Sequence, residues 1–229
     1  MSTGIQVSEL ICRAQVAPFG SSMRQGASGL RLASVKRSRN RIDIAAMLPP
    51  NRPSNPLDEL AGRRAWSGPT LANGVLTDEL VAFCQSGLSV VLAGRDESGR
   101  PVVGRALSCR IDGVGKVRLV VRRDSNEDVL RAIAGGGGLA ATFTKPSTHR
   151  SIQLKGASAW IREADASDQR LAADQTKALQ AELVDDGFET GLAAQYCAFE
   201  ADALVAVEFV PLQAFVQTPG PGAGTALTA

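Results

Sequence analysis

From Leu76 onward the chain alternates short β-branched apolar runs with turn residues, which is the pattern of hairpin-linked strands. "LSVVLAGR" (88–95) reads as a strand, "DESG" (96–99) as a turn and "PVVGRALSCRI" (101–111) as the returning strand. "DGVG" (112–115) makes a second hairpin turn into "KVRLVVRR" (116–123). "LAATFTK" (139–145) and a long "RSIQLKGASAWIRE" (150–163) read as further strands, with Gly156 marking a bulge or a close backbone approach. "ALVAVEFVPLQAFV" (203–216) reads as the last strand. Three helices interrupt them. Thr77 caps "TDELVAFCQ". Ser125 or Asn126 caps "EDVLRAIA", which "GGGG" (135–138) ends. A third helix runs from Ser167 to about Val184, its apolar stripe carried by Leu171, Ala178, Leu179 and Leu183. The sum is an α+β domain over 75–224, whose strands lose their open edges most simply by closing into a barrel. The tail "TPGPGAGTALTA" cannot be helix or central strand.

The first 74 residues read differently. They hold Arg13, Arg24, Arg31, Lys36, Arg37, Arg39, Arg41 and Arg52, few acids and no sustained apolar period, and "LPPNRPSNP" (48–56) is linker-like. This predicts a mostly disordered extension. Three readings stand: a bland extension or an upstream start with translation beginning near Met47, an organellar transit peptide, and a basic nucleic-acid-binding arm around Lys36–Arg41.

Composition narrows the function classes. A formal net charge of +2 over 229 residues gives no general polyanion-binding character, and 4% aromatics argues against a base-stacking platform. Cys12, Cys84, Cys109 and Cys197 are scattered, and His149 is the one histidine, so a multi-ligand zinc or haem site is not expected. Scattered thiols suit a cytoplasmic compartment, and no apolar run approaches the ~20 residues that cross a bilayer. Neither a nucleic acid nor a membrane is an expected partner.

Candidate chemistry gathers on the strands. Alternation puts Arg150, Ile152 and Leu154 on one face of their strand and Ser151, Gln153 and Lys155 on the other. That second line of hydroxyl, amide and ammonium is either a solvated face or the surface that meets the polar edge of a ligand. Thr144, Lys145, Ser147, Thr148, His149 and Arg150 place small hydroxyls beside cations, as a phosphate site needs and as an ordinary surface turn also shows. Arg105 and Arg110 flank "ALSC", which includes Ser108. Five apart, they face opposite sides of a regular strand. They reach one ligand only through a bulge, long side-chain reach or sharing between subunits. Arg118 and Arg122 share a face of the next strand. "GGGG" follows a helix and precedes a strand, the reverse of a phosphate-cradling loop. No Rossmann fingerprint, P-loop or nucleophile elbow is present, and His149 has no visible partner for acid–base work.

The order "LSVVLAGRDESGRPVVGRALSCR", "KVRLVVRR", a short helix and "LAATFTKPSTHRSIQLKG" resembles the FMN-binding split β-barrel proteins related to pyridoxamine 5′-phosphate oxidase. The ending "VEFVPLQAFVQTPGPGAG" is similar to that of an uncharacterised branch, and the resemblance covers roughly residues 76–224. It implies an antiparallel split barrel with flanking helices, and a homodimer with flavin near the subunit interface. It implies that Arg105 and Arg110, with Ser108 between them, lie near the FMN phosphate, Arg110 replacing the family's Lys. Arg122 and Ser125 are the nearest equivalents of the strand-to-helix contacts, although Val120-Val121 replaces the family's Tyr-Thr pair. The family's Arg-Gln falls on Arg150-Ser151, so Gln153 or Ser151 would take the part of the ring-edge Gln. Thr144, Ser147 and Thr148 of the loop and Lys155 of the strand face, read from the residues above, complete the candidate cofactor-binding set. The Arg-x-Pro ending that helps hold pyridoxal phosphate is replaced by "TPGPGAG", which argues against pyridoxamine phosphate oxidation itself. The expectation is an FMN-dependent oxidoreductase using a small-molecule redox substrate and a nicotinamide or deazaflavin donor. The alternative is a flavin, deazaflavin or haem carrier or sensor on the same barrel.

Overall fold

The structure is a computed structural model that describes residues 76–227. The extension expected over 1–74 lies outside the described residues. The strands are β1 (Ser89–Arg95), β2 (Pro101–Ile111), β3 (Val117–Arg122), β4 (Leu139–Thr144), β5 (Ser151–Gly156), β6 (Ala159–Glu163), β7 (Leu204–Phe209) and β8 (Gln213–Val216). They form one antiparallel sheet in the order β6-β7-β3-β2-β1-β4-β5-β8. Four helices flank it: α1 (Asp78–Cys84), α2 (Glu127–Ala134), α3 (Ala166–Asp185) and α4 (Thr190–Cys197). The mixed α+β class and the antiparallel sheet are those expected. No described helix is long and apolar enough to cross a membrane.

The sheet curls because β5 and β6, far apart in strand order, are joined by Ala157 and Ser158 alone. Gly156 makes the join. A Cβ there would stand 2.8 Å from Phe209 Cδ2 and 3.1 Å from the Val210 carbonyl oxygen, so only glycine lets the two ends of the sheet meet. The single strand expected over 150–163 is therefore two strands in two neighbourhoods. The run 203–216 likewise splits into β7 and β8 around Val210, Pro211 and Leu212. The inward residues are Val90 and Leu92, Cys109 and Ile111, Val117, Leu119 and Val121, Ala141 and Phe143, Ile152 and Leu154, and Val205, Val207 and Phe209. Leu80 and Phe83 from α1, and Val129, Leu130 and Ile133 from α2, join the same core.

Helix α3 covers the outer face of β2 and β3, and α4 packs against α3. α3 opens with a capping box in which Asp165 accepts from the Ser167 and Asp168 N–H groups. Its buried face differs from the apolar stripe expected. Leu179 and Leu183 are on it, but Leu171 is half-buried, Ala178 is exposed and Asp168, Gln175 and Thr176 are buried instead. The sheet explains this. β2 runs past the end of β1, and the Gln175 amide takes the vacant place, accepting from Cys109 N–H and donating to Cys109 C=O, both at 2.8 Å. Helix α4 was not expected from sequence. Eight residues long, it packs Ala193 and Cys197 on Leu179 and Leu183 in a small cluster separate from the main core.

Candidate functional site

Strand register lines up the outward residues of the sheet in rows. Arg105 on β2 pairs with Val91 on β1, Val91 with Thr142 on β4, Thr142 with Gln153 on β5, and Gln153 with Phe215 on β8. One residue pair along lies the row Ser89, Thr144 and Ser151, and on the other side the row Ala93, Ala140, Lys155 and Gln213. At the usual strand spacing, Arg105 and Gln153 are about 14 Å apart along the curved sheet. Small side chains, Val91, Ala93 and Ala140, make the floor between the polar ends. The helices pack chiefly on β1, β2 and β6.

The polar groups of this face are organised. Gln153 Nε2 donates to Thr142 Oγ1 at 2.9 Å. The Thr144 and Ser151 hydroxyls are 3.0 Å apart, Ser151 Oγ donates to the His149 carbonyl, and the Ser151 N–H donates to Thr218 Oγ1 at 3.0 Å. Thr218 thus ties the tail to the site, and the tail returns to pair Ala226 with Phe215. Lys155 Nζ lies 4.4 Å above the Phe215 ring.

Arg105 is only partly paired. Its Nη1 donates to the Tyr196 carbonyl at 2.6 Å, and its guanidinium carbon lies 3.8 Å from the Tyr196 ring centroid. Its Nε and Nη2 are buried with no hydrogen-bond partner. Nε–H and Nη2–H point the same way, along the edge of the guanidinium that grips two oxygens of a carboxylate or phosphate. Buried donors are nearly always paired, so an open pair on one edge is a ligand signal.

The other expected residues are distributed as follows. A β-bulge between Ala106 and Ser108 does put Arg105 and Arg110 on the same face, as joint action requires. Arg110, however, reaches α3, donating to Ser167 Oγ at 3.2 Å and Asp168 Oδ1 at 3.4 Å. Ser108 is buried at the bulge with its hydroxyl unpaired. Arg122 grips the Asp124 carboxylate, and the exposed Ser125 accepts from Asn126 Nδ2. Ser147 donates to Glu182, Thr148 Oγ1 accepts from Arg150 N–H, and Arg150 pairs with Glu79 at 2.9 Å over the Phe83 ring. Thr144, Ser151, Gln153 and Lys155 therefore come together, with Arg105 closing the row. Arg110, Arg122, Ser125, Ser147, Thr148 and Arg150 are held elsewhere. His149 is exposed, and it alone of the described non-glycine residues has positive φ, 57°.

Sequence reasoning missed Thr142 and Tyr196. Thr142 was recoverable, since it alternates with Thr144 on one strand. Tyr196 was not, because its helix carried no clear apolar period. Among the described residues no group of three His, Cys, Asp or Glu side chains could hold a metal.

Fold and site together define an antiparallel barrel protein with a polar row on its outer face and a buried, unpaired guanidinium edge at the end of that row. No protein-family model matches the chain, and no curated protein matches it. Solved structures do. The chain is similar to a pyridoxamine 5′-phosphate oxidase-related, FMN binding protein from Nostoc punctiforme, at 16% identity over 72% of this chain and 85% of that one, with a TM-score of 0.34. It is similar to an F420 reductase at 14% identity, over 61% and 98% of the two chains, with a TM-score of 0.41. It is also similar to HutZ, the haem storage protein of Vibrio cholerae, at 16% identity, over 62% and 94%, with a TM-score of 0.36. At these values the likenesses assign no activity to this chain.

Proposed function

We propose that the protein binds FMN across the outer face of β1, β4 and β5, in a homodimer whose second copy covers that face, and acts as an FMN-dependent oxidoreductase. The observation that carries the reading is the Arg105 edge, two buried N–H donors without a partner at one end of a polar row. The resemblance of "THRSIQLKG" and its neighbouring strands to flavin-binding split barrels supports it from the sequence side.

The residues present fit such a group. Arg105 Nε and Nη2 would take two phosphate oxygens. Thr142 and Gln153 would supply an amide and a hydroxyl to the polar edge of the ring, and Lys155 a positive charge beside them. Val91, Ala93 and Ala140 make a flat apolar floor that keeps water from one side of a planar ligand. Bound FMN supplies the electron and hydride chemistry, and the protein supplies placement and electrostatics. Such a division needs no catalytic acid or base.

The test is the absorbance spectrum of the purified protein, then FMN titration of the colourless remainder. Arg105→Ala should weaken FMN binding about 10- to 100-fold, the worth of a charge-assisted bond pair. Protein that is colourless and ignores added FMN overturns the reading. Stopped-flow mixing with a nicotinamide or reduced deazaflavin donor then decides between oxidoreductase and carrier, since flavin that no donor reduces is only carried.

A further inference from the structure

Arg105 is the cation of the candidate site with buried donors left unpaired, and Tyr196, in the last turn of α4, lies against its guanidinium. Solvent reaches neither Nε nor Nη2, and no carboxylate among the described residues pairs with the side chain. Leaving buried donors unpaired costs free energy, more when they carry charge. The closed arrangement is therefore poised against an alternative in which an oxyanion takes the edge. The closing group is loosely founded. α4 is anchored through Ala193 and Cys197 in a cluster of its own, with Tyr196 and Phe188 only partly buried beside it, so it can shift without disturbing the barrel core. At Ala198 the chain leaves the helix in extended conformation, at φ −66° and ψ 142°.

We propose that Tyr196 is the gate of the phosphate subsite: its ring and carbonyl hold Arg105 closed in the absence of an anion, and a phosphate monoester that takes the Nε–Nη2 edge displaces the last turn of α4. The inference rests on the flavin reading only for the identity of the ligand, since the gate would answer to any phosphate monoester of suitable size. It makes α4 a specificity element, because the free energy of opening is returned only by a ligand that carries the anion.

Tyr196 is the only tyrosine in the chain, so full-length protein grown with 3-fluorotyrosine gives one fluorine resonance at the gate. Inorganic phosphate, FMN and riboflavin are titrated in parallel, with flavin fluorescence reporting flavin binding. The expected result is a saturable shift with FMN and phosphate, none with riboflavin, and no response in Arg105→Ala. FMN binding that leaves the resonance in place, or an equal shift with riboflavin, overturns the gate and spares the flavin reading. A phosphate response in protein that binds no flavin keeps the gate and ends the flavin reading. Silence toward both FMN and phosphate overturns the gate. Tyr196→Ala adds an independent measurement. It removes the ring and keeps the carbonyl, so it weakens the closed state and should raise FMN affinity relative to riboflavin by up to roughly tenfold, the limit for removing a closed state that holds about nine-tenths of the molecules. A parallel loss of both affinities marks a merely structural tyrosine, and a loss for FMN alone marks a direct ligand contact; either overturns the gate.

Discussion

Asn126 hydrogen-bonds the backbone of Arg105, 21 residues away, instead of capping the helix it begins. Its Oδ1 accepts from the Arg105 N–H at 2.8 Å, and its Nδ2 donates to the Arg122 carbonyl at 2.7 Å. It makes no side-chain cap bond to α2. The amide thus stands where β3 would have continued and closes the gap between β2 and β3 beside the proposed phosphate end. Gly104 makes room, because a Cβ there would collide with Asn126 Oδ1. Asn126→Leu leaves the Arg105 N–H and the Arg122 carbonyl unpaired in a site that is 2% exposed, and should cost about 2–4 kcal/mol of stability. Urea denaturation checks it; a midpoint within error of the unsubstituted protein would show that water replaces the amide without loss.

Closure of the sheet makes an independent prediction. Any β-carbon at position 156 meets the Phe209 ring and the Val210 carbonyl, and the latter is backbone that cannot swing away. Gly156→Val should destabilise by about 1–3 kcal/mol or more, the usual cost of overpacking. Thermal unfolding followed by circular dichroism measures it. Gly113, where a Cβ would meet nothing within 4 Å, is the control, and Gly113→Ala should leave the midpoint nearly unchanged.

Most of the fold was legible because the strands are short apolar or alternating runs and the first two hairpin turns carry their own Asp and Gly. What was not legible depends on contacts between distant segments. Gly156 ends a strand only because Phe209 is there, and Gln175 is buried only because β2 outruns β1. Of the candidate site, the line Ser151, Gln153 and Lys155 followed from alternation alone. The common face of Arg105 and Arg110 needed a bulge that nothing local announces, and their separation into an open and a paired guanidinium depends on where α3 and α4 lie. Periodicity carries which way a side chain leaves its strand. It does not carry what waits there.

The two ends of the polar row should separate in binding experiments. Gln153 stands at the far end from Arg105 and bonds only Thr142 in the present arrangement. If it meets the ring edge, Gln153→Leu should weaken FMN and riboflavin alike, each by roughly 3- to 10-fold for one lost neutral hydrogen bond. Arg105→Ala, by contrast, should weaken FMN while sparing riboflavin. Flavin fluorescence titration of the four combinations reads both effects. A Gln153→Leu protein whose loss is confined to FMN would place the phosphate at the wrong end of the row.

Acid should unfold the protein through the ion cluster that seats α3 on the sheet. Arg118 donates to Asp168 through Nε at 3.0 Å and to Glu208 through Nη1 at 2.8 Å, and Lys116 lies 3.5 Å from Glu208. Burial opposes the charge on Asp168. The Arg118 guanidinium and the Asp165 N–H outweigh it and hold the carboxyl below its ordinary range. Glu208 is held low against the same opposition, by Arg118 and Lys116. At the exposed start of α3, the Ser167 hydroxyl and the Asp168 N–H lower Asp165 to about 2. Each carboxylate binds its proton less readily folded than unfolded, so its stabilisation is complete above about pH 4 to 5 and fades as pH falls toward 2. Stability should therefore drop steeply across that window and stay level above it. Asp168→Asn leaves Arg118 short of its main partner and should cost about 3 kcal/mol at pH 7, while flattening the acid limb because one titrating group is gone. Denaturant midpoints from pH 2 to 7 for both proteins test the point; parallel curves would mean that the cluster does not govern acid unfolding.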